Sequence, residues 1–413
     1  MTASTHLDWP FFEPRHRQLA SALDEWADAQ LTIAQAGHGD AECRALTLML
    51  GRDGWLQHLT GDAATGVIDT RAVCLIREAL AHRSGLADFA FATHGLAAAA
   101  ISLGASDKQR AGLLPGLISG QSVTAFAWAE PPASSSVMST VGSDPGALRC
   151  TVRSDGEGYV LDGEKTWITA GGAADRFVVF ARAATARADG KAKRGAAGGR
   201  GSKDISAFIV EADAPGLEVV PQVRMLAVQP TARLRLRQCR VGSECRLGAE
   251  GTGFQLAMRA LDVFRPGVAA AALGLARRAF DEAMQRATTR RMFDDLLAHL
   301  QLTQAKLALM ASVIDASALL TYRAAWLRDS GQGASKEVAM ARTAAIEGAQ
   351  QVIDAAVQMW SPFGVANGPP VERLYREVRA LRFDDSVGEL QPLLIGRELL
   401  REGLRSTQLA HAA

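Results

Sequence analysis

The spacing of apolar residues changes twice along this chain, and that double change restricts the fold more than any single motif. In the first third, apolar residues recur at helical intervals over Gln18–Ala34, Asp40–Leu50, Val73–Ala81 and Ala87–Leu103. The last of these is Ala-rich, which suits close helix packing. Asp107-Lys108-Gln109-Arg110 opens a further short helix ending near Gly116 or Gly120. In the middle third the period falls to two. A short apolar run, Val123–Trp128, precedes Glu130-Pro131. Leu148–Val152 alternates and turns through Asp155-Gly156 into Tyr159-Val160-Leu161; a second turn at Asp162-Gly163 leads into Thr166–Thr169. Arg176–Ala181, Ser206–Val210, Leu217–Val220 and Leu234–Val241 complete the strands. The last third is helical again. One stripe runs from Val268 to Met284, with Pro266 where a helix starts or kinks. Leu302–Leu327 is a second helix. A third is capped by Ser335, reaches Trp360 and is closed by Pro362. Leu390–Leu404 is the last, with Ser386 or Asp385 as its nearest cap.

A chain of 413 residues is too long for one ordinary core, so two or three domains are expected. The period changes put the boundaries at 1–121, 122–242 and 243–413. A net charge of +1 gives no bulk attraction to nucleic acid or an anionic membrane. The five cysteines, Cys43, Cys74, Cys150, Cys239 and Cys245, have no metal-ligand spacing, and their odd number suggests reduced thiols in a cytoplasmic protein. No signal peptide is visible. The longest apolar run, Gly95 to Leu103, falls short of the ~20 residues a membrane helix needs. Ala183–Asp204 is rich in Gly, Ala, Lys and Arg and reads as a solvated loop.

The segment with the most chemistry is Gly163-Glu164-Lys165-Thr166-Trp167-Ile168-Thr169. On a strand, Trp167 and Thr169 share a face because they are two residues apart. Together they offer a flat apolar surface and a hydroxyl donor. Alone, that pair is better read as a core Trp beside a strand Thr.

The surrounding pattern resembles the acyl-CoA dehydrogenase family. It runs in order from Asp107-Lys108-Gln109-Arg110, Leu114-Pro115 and Gly120 through Glu130-Pro131 and the Trp167 segment. It continues with Gly251-Thr252-Gly253-Phe254, Leu261-Asp262-Val263-Phe264-Arg265-Pro266, Thr289-Arg290-Arg291-Met292-Phe293, Val371–Arg376 and Arg397-Glu398. The resemblance implies an α+β fold: an N-terminal helical domain, a central β-barrel-like domain and a C-terminal four-helix bundle. It also implies one FAD per subunit in a homo-oligomer, dimer or tetramer.

Site roles follow from the resemblance residue by residue. Trp167 and Thr169 flank the flavin ring, Thr169 near N5. Phe126, Trp128 and Ala129, in the stretch Phe126 to Ser135, supply backbone contacts. Ser135 touches flavin phosphate and acyl-CoA. Arg290 reaches the FAD pyrophosphate of a neighbouring subunit, with Phe293 beside it, and Gln301 and Gln358 match adenosine-side contacts. Asp262 and Arg265 line the CoA channel, although Arg265 is equally a salt-bridge partner on its helix. Asp385 occupies the position of the base that removes the α-proton of the thioester. The family's alternative base position is Phe264, which has no titratable group. Glu389 is a reserve.

The resemblance has gaps. Ala129 stands where the family has a hydroxyl, and Pro132 and Ser134 replace glycines. Gln358-Met359-Trp360-Ser361-Pro362-Phe363-Gly364 lacks the usual paired glycines. The expectation is therefore FAD-dependent α,β-dehydrogenation of an acyl-CoA thioester, with an electron-transferring flavoprotein as electron acceptor. The alternatives are a degenerate or FAD-site-completing subunit of a hetero-oligomer, and an oxygen-using acyl-CoA oxidase.

Overall fold

The computed structural model describes residues 5–31, 39–61, 66–131, 148–184, 202–221, 225–292, 294–383 and 390–412. The chain divides into two compact units. One comprises residues 36–68 and 89–261, the other residues 1–35, 69–88 and 262–413.

The first unit is organised by an eight-stranded sheet. Its strands are β1 (Thr124–Ala127), β2 (Thr151–Ser154), β3 (Gly158–Thr169), β4 (Arg176–Ala183), β5 (Ile205–Glu211), β6 (Leu217–Pro221), β7 (Thr231–Gly242) and β8 (Arg246–Leu247). Seven of them run in the order β6-β7-β3-β2-β4-β5-β8, and β1 pairs in parallel with β4. Phe177, Val179, Phe208, Val210, Leu161, Ile168 and Leu234 fill the core. They come from alternate positions of neighbouring strands, as period-two patterning requires. Three helices belong largely to this unit: α2 (Asp40–Arg52), α4 (Gly85–Gly104) and α5 (Asp107–Ile118). Ser106 and Gln109 close a capping box at the start of α5. His94 on α4 is buried; its Nε2 meets the Leu117 carbonyl at 3.0 Å, and its Nδ1 meets the Thr124 N–H at 3.3 Å.

The β3 strand differs from the expected hairpin turn at Asp162-Gly163. It continues through Asp162-Gly163 as one strand of 12 residues, because the irregularity at that point lies in its partner. Leu161 faces Cys239 and Gly163 faces Leu236, so β7 carries the extra residue. Gln238, at φ 50°, donates its backbone N–H and its side-chain amide to the Asp162 carboxylate at 2.7 and 2.6 Å. The sequence signal for a turn thus marks a β-bulge.

The second unit is helical. It contains α1 (Pro14–Gln30), α3 (Thr70–Arg83), most of α6 (Gly253–Thr289), α7 (Gln301–Asp329), α8 (Ser335–Trp360), α9 (Pro370–Leu381) and α10 (Leu390–Ala412), with a small hairpin β9–β10 (Arg291–Met292, Asp295–Leu296). An Ala-rich stripe on α6, Val268 to Ala276, is almost wholly buried. A Cβ on Gly274 would lie 2.2 Å from the Glu78 carbonyl on α3, so the two helices meet backbone to backbone. Pro266, expected where a helix starts or kinks, lies inside α6. One expectation shifts here. Ala334, not Ser335, is the N-cap of α8, and no side chain caps it. By length and composition alone α4 and α7 are long and apolar enough to cross a membrane, and 67% of the most apolar stretch of α4 is buried within the protein.

Candidate active site

The Trp167 segment is held by a buried ion pair that no local pattern announces. Lys165 is fully buried, and its Nζ donates to Glu130 Oε1 at 2.8 Å and to the Trp128 carbonyl at 3.2 Å. The same carboxylate accepts the backbone N–H groups of Arg149 and Cys150 at 2.6 and 3.0 Å. The Thr166 N–H donates to the Ala129 carbonyl at 2.9 Å. Glu130, read from sequence only as half of a Glu-Pro turn, therefore joins the end of β1 to β2 and β3. Burial of such a charge is tolerated only because every oxygen is engaged.

Between Lys165 and Ile168 the ladder to β7 slips by one residue. Lys165 faces Leu234 and Ile168 faces Ala232, which makes Trp167 the bulged position. Its φ is 56°, a left-handed conformation that costs a non-glycine residue roughly 1–3 kcal/mol. Thr166 and Ile168 on either side are buried, whereas Trp167 is 39% exposed and Thr169 is half-buried. The indole is the one exposed side chain on a strand whose other residues are buried or half-buried.

The remaining expected residues fall into groups. Phe126 is buried with its ring 4.8 Å from Phe180, so its side chain is core and only its backbone is available. Trp128 packs at 5.1 Å from Phe180 and 6.1 Å from Phe254. Ala129 is half-buried. Asp262 and Arg265 form an i,i+3 ion pair of 3.1 Å along α6. Phe264 is buried. Arg290, just past α6, donates from NH1 to Ser361 Oγ at 2.9 Å. Gln301 and Gln358 are exposed, and the Gln358 carbonyl accepts the Ser361 N–H. Asp385, Ser135, Phe293 and Glu389 lie outside the described residues.

In the helical unit, two shallow cavities of about 330 and 290 Å³ open on α8 and share Glu347, Arg379 and Arg382; among the described residues neither is lined by an expected site residue. Glu78 belongs to a buried polar cluster. Burial pushes its carboxyl up, but Arg277 at 2.7 Å, His6 and the Tyr322 hydroxyl that donates to it hold it below its ordinary value. Among the described residues no cluster of His, Cys, Asp and Glu has the makings of a metal site.

Comparison with known proteins places these features. The description of the acyl-CoA dehydrogenase middle domain matches residues 125–239, and that of the C-terminal domain matches residues 251–400. The chain is similar to a 3-(aryl)acrylate reductase of Clostridium sporogenes, 34% identical over 336 residues, covering 81% of this chain and 84% of the relative. It is similar to the human mitochondrial short-chain specific acyl-CoA dehydrogenase, 37% identical over 303 residues, covering 73% of this chain and 68% of the relative. Its structure resembles that of butyryl-CoA dehydrogenase from Megasphaera elsdenii, with a TM-score of 0.81 and 28% identity over 94% of this chain and 99% of that one. The sheet with its exposed tryptophan, the unit of long helices and these likenesses converge: the chain belongs to the acyl-CoA dehydrogenase family and is an oxidoreductase with that family's α+β fold.

Proposed function

We propose that the chain catalyses FAD-dependent α,β-dehydrogenation of an acyl-CoA thioester, with Asp385 as the α-proton base. The observation that carries this reading is Trp167, an exposed indole held at a strained bulge and followed two residues later by a half-buried hydroxyl. Strain of that kind persists where surrounding structure over-determines it, and such positions cluster at functional sites. The residues fit a flavin dinucleotide: a flat apolar face and a hydroxyl donor at Thr169 for the ring, and at Arg290 a guanidinium suited to the diphosphate of a neighbouring subunit's FAD. Bound FAD supplies the acceptor for the substrate's β-hydride. Trp167 orients the ring, Thr169 donates a hydrogen bond beside it, and Ser135 contacts cofactor phosphate and substrate. Asp385 takes the α-proton. Burial beside a thioester raises a carboxyl toward working pH, which suits a base.

An electron-transferring flavoprotein is the proposed electron acceptor, and the cytoplasm the proposed compartment. Self-association is supported by α7, where Leu302, Leu309 and Leu319 stand 80%, 68% and 46% exposed at helical spacing. An apolar stripe of that length is ordinarily covered. Sedimentation of the purified chain tests it, and a monomer at micromolar concentration would sink it.

The deciding experiment is the anaerobic visible spectrum of the purified chain against a panel of acyl-CoAs. Bleaching of the flavin band by one thioester, lost in Asp385→Ala, is expected. A second reading, a subunit that completes a partner's FAD site, is favoured by Pro132 and Ser134 in place of family glycines. It predicts a chain that stays colourless when FAD is added. Rapid oxygen-driven reoxidation in the same cell would instead indicate an oxidase.

A further inference from the structure

Ser361, which stands where the family's segment has the first of its paired glycines, acquires a different meaning in the structure. Ser361 follows α8 directly and adopts φ 58° and ψ −141°, a conformation that suits glycine and strains a residue with a Cβ. A chain under no constraint here gains stability by carrying glycine. What the serine provides is its Oγ, which accepts from Arg290 NH1 at 2.9 Å. The segment is locked around that contact. The Ser361 N–H donates to the Gln358 carbonyl. Trp360 Nε1 donates to the Glu282 carbonyl at 3.4 Å. Gly364 lies so close to the Val357 carbonyl that a Cβ would approach it to 2.2 Å. One turn before Arg290, the Arg286 guanidinium lies over Trp360 at 5.4 Å and Phe363 at 5.9 Å, and its buried Nε has no hydrogen-bond partner among the described residues. Two guanidinium groups are thus held by one short segment, one by aromatic faces and one by a strained serine.

We propose that Ser361 is a positioning residue: its strained backbone places Oγ where it fixes the Arg290 guanidinium for the diphosphate of FAD. The inference rests on the reading above that Arg290 serves the cofactor. Pre-orienting a long side chain removes part of the rotamer cost of binding. One hydrogen bond of ordinary strength corresponds to about a fivefold change in affinity.

The test is FAD binding to the purified full-length chain, followed by quenching of flavin fluorescence, together with the melting temperature of the FAD-free protein. Ser361→Gly is expected to melt at the wild-type temperature or above it while its Kd for FAD rises about fivefold. Ser361→Thr, which keeps the hydroxyl, retains most of the affinity. In an Arg290→Ala background, Ser361→Gly changes the Kd no further. A merely structural serine gives the opposite result, a lower melting temperature with unchanged affinity, and overturns the inference. So does weakened binding in Arg290→Ala with wild-type binding in Ser361→Gly, which leaves the role of Arg290 standing. Wild-type affinity in Arg290→Ala overturns the reading beneath it, and a chain that takes up no FAD overturns both.

Discussion

At the scale of single residues, the buried pair Lys165–Glu130 decides whether the Trp167 strand is held in place. Removing one partner leaves an uncompensated charge in the core. Lys165→Met is therefore expected to cost about 3–5 kcal/mol in urea unfolding. Glu130→Gln keeps one acceptor oxygen for Lys165 and the Cys150 N–H but sets an NH2 group against the Arg149 N–H, so its cost is expected to be smaller without vanishing. Equal losses in the two variants would show that the carboxylate charge, rather than its geometry, carries the contact. Neither residue could be paired from sequence, because 35 positions separate them and each looks locally ordinary. Trp167 and Arg290 were legible because their residue types sit in an ordered series of motifs. Ser361 was legible only as a missing glycine, since a serine's hydrogen bond to a residue 71 positions away leaves no periodic trace.

At the scale of elements, the helices were read within a few residues wherever apolar spacing was regular, as in α2, α7 and α8. The departures have identifiable causes. The α9 helix went unread as a helix because it is short and was recognised only as a motif. The Asp162-Gly163 pair has the composition of a turn, yet it serves a bulge in the facing strand. Pro266 suggested a helix start or a kink, and it lies inside α6. Gly163 makes the strand reading testable. It sits at φ 146°, and a Cβ there would lie 2.8 Å from Cys150 Cα. Gly163→Ala is expected to destabilise by roughly 3 kcal/mol through strain and overlap together. Gly156→Ala, at φ 93° with open space around it, isolates the backbone part at about 1 kcal/mol. Similar costs for the two in denaturant melts would refute crowding at Gly163.

At the scale of the whole molecule, the two compact units answer pH in opposite directions. Burial holds His94 in the sheet unit down at about 4, against an ordinary value of 6.5. Between those values only the unfolded chain takes up the proton. His94 therefore contributes stability that is present above pH 6.5 and lost as pH falls through 4, on the order of 3 kcal/mol. Glu377 in the helical unit is pushed up by burial to about 7, with Asp88 and Glu372 adding to the shift and Arg373 and Arg376 opposing it. Its contribution is complete below pH 4.5 and is lost as pH rises through 7. Hydrogen exchange at pH 5 and pH 8 is expected to show the sheet unit loosening first in acid and the helical unit first in base. Uniform loosening in both would refute the assignment, and Glu377→Gln should flatten the alkaline limb alone. The Trp167 bulge has a hereditary consequence. Without that residue, Lys165, Thr166 and Ile168 would face Leu234, Arg233 and Ala232 in unbroken register. A mutation that drops this one codon leaves every flanking pair aligned and removes only the aromatic face, so a lineage can shed the chemistry and keep the scaffold in a single step.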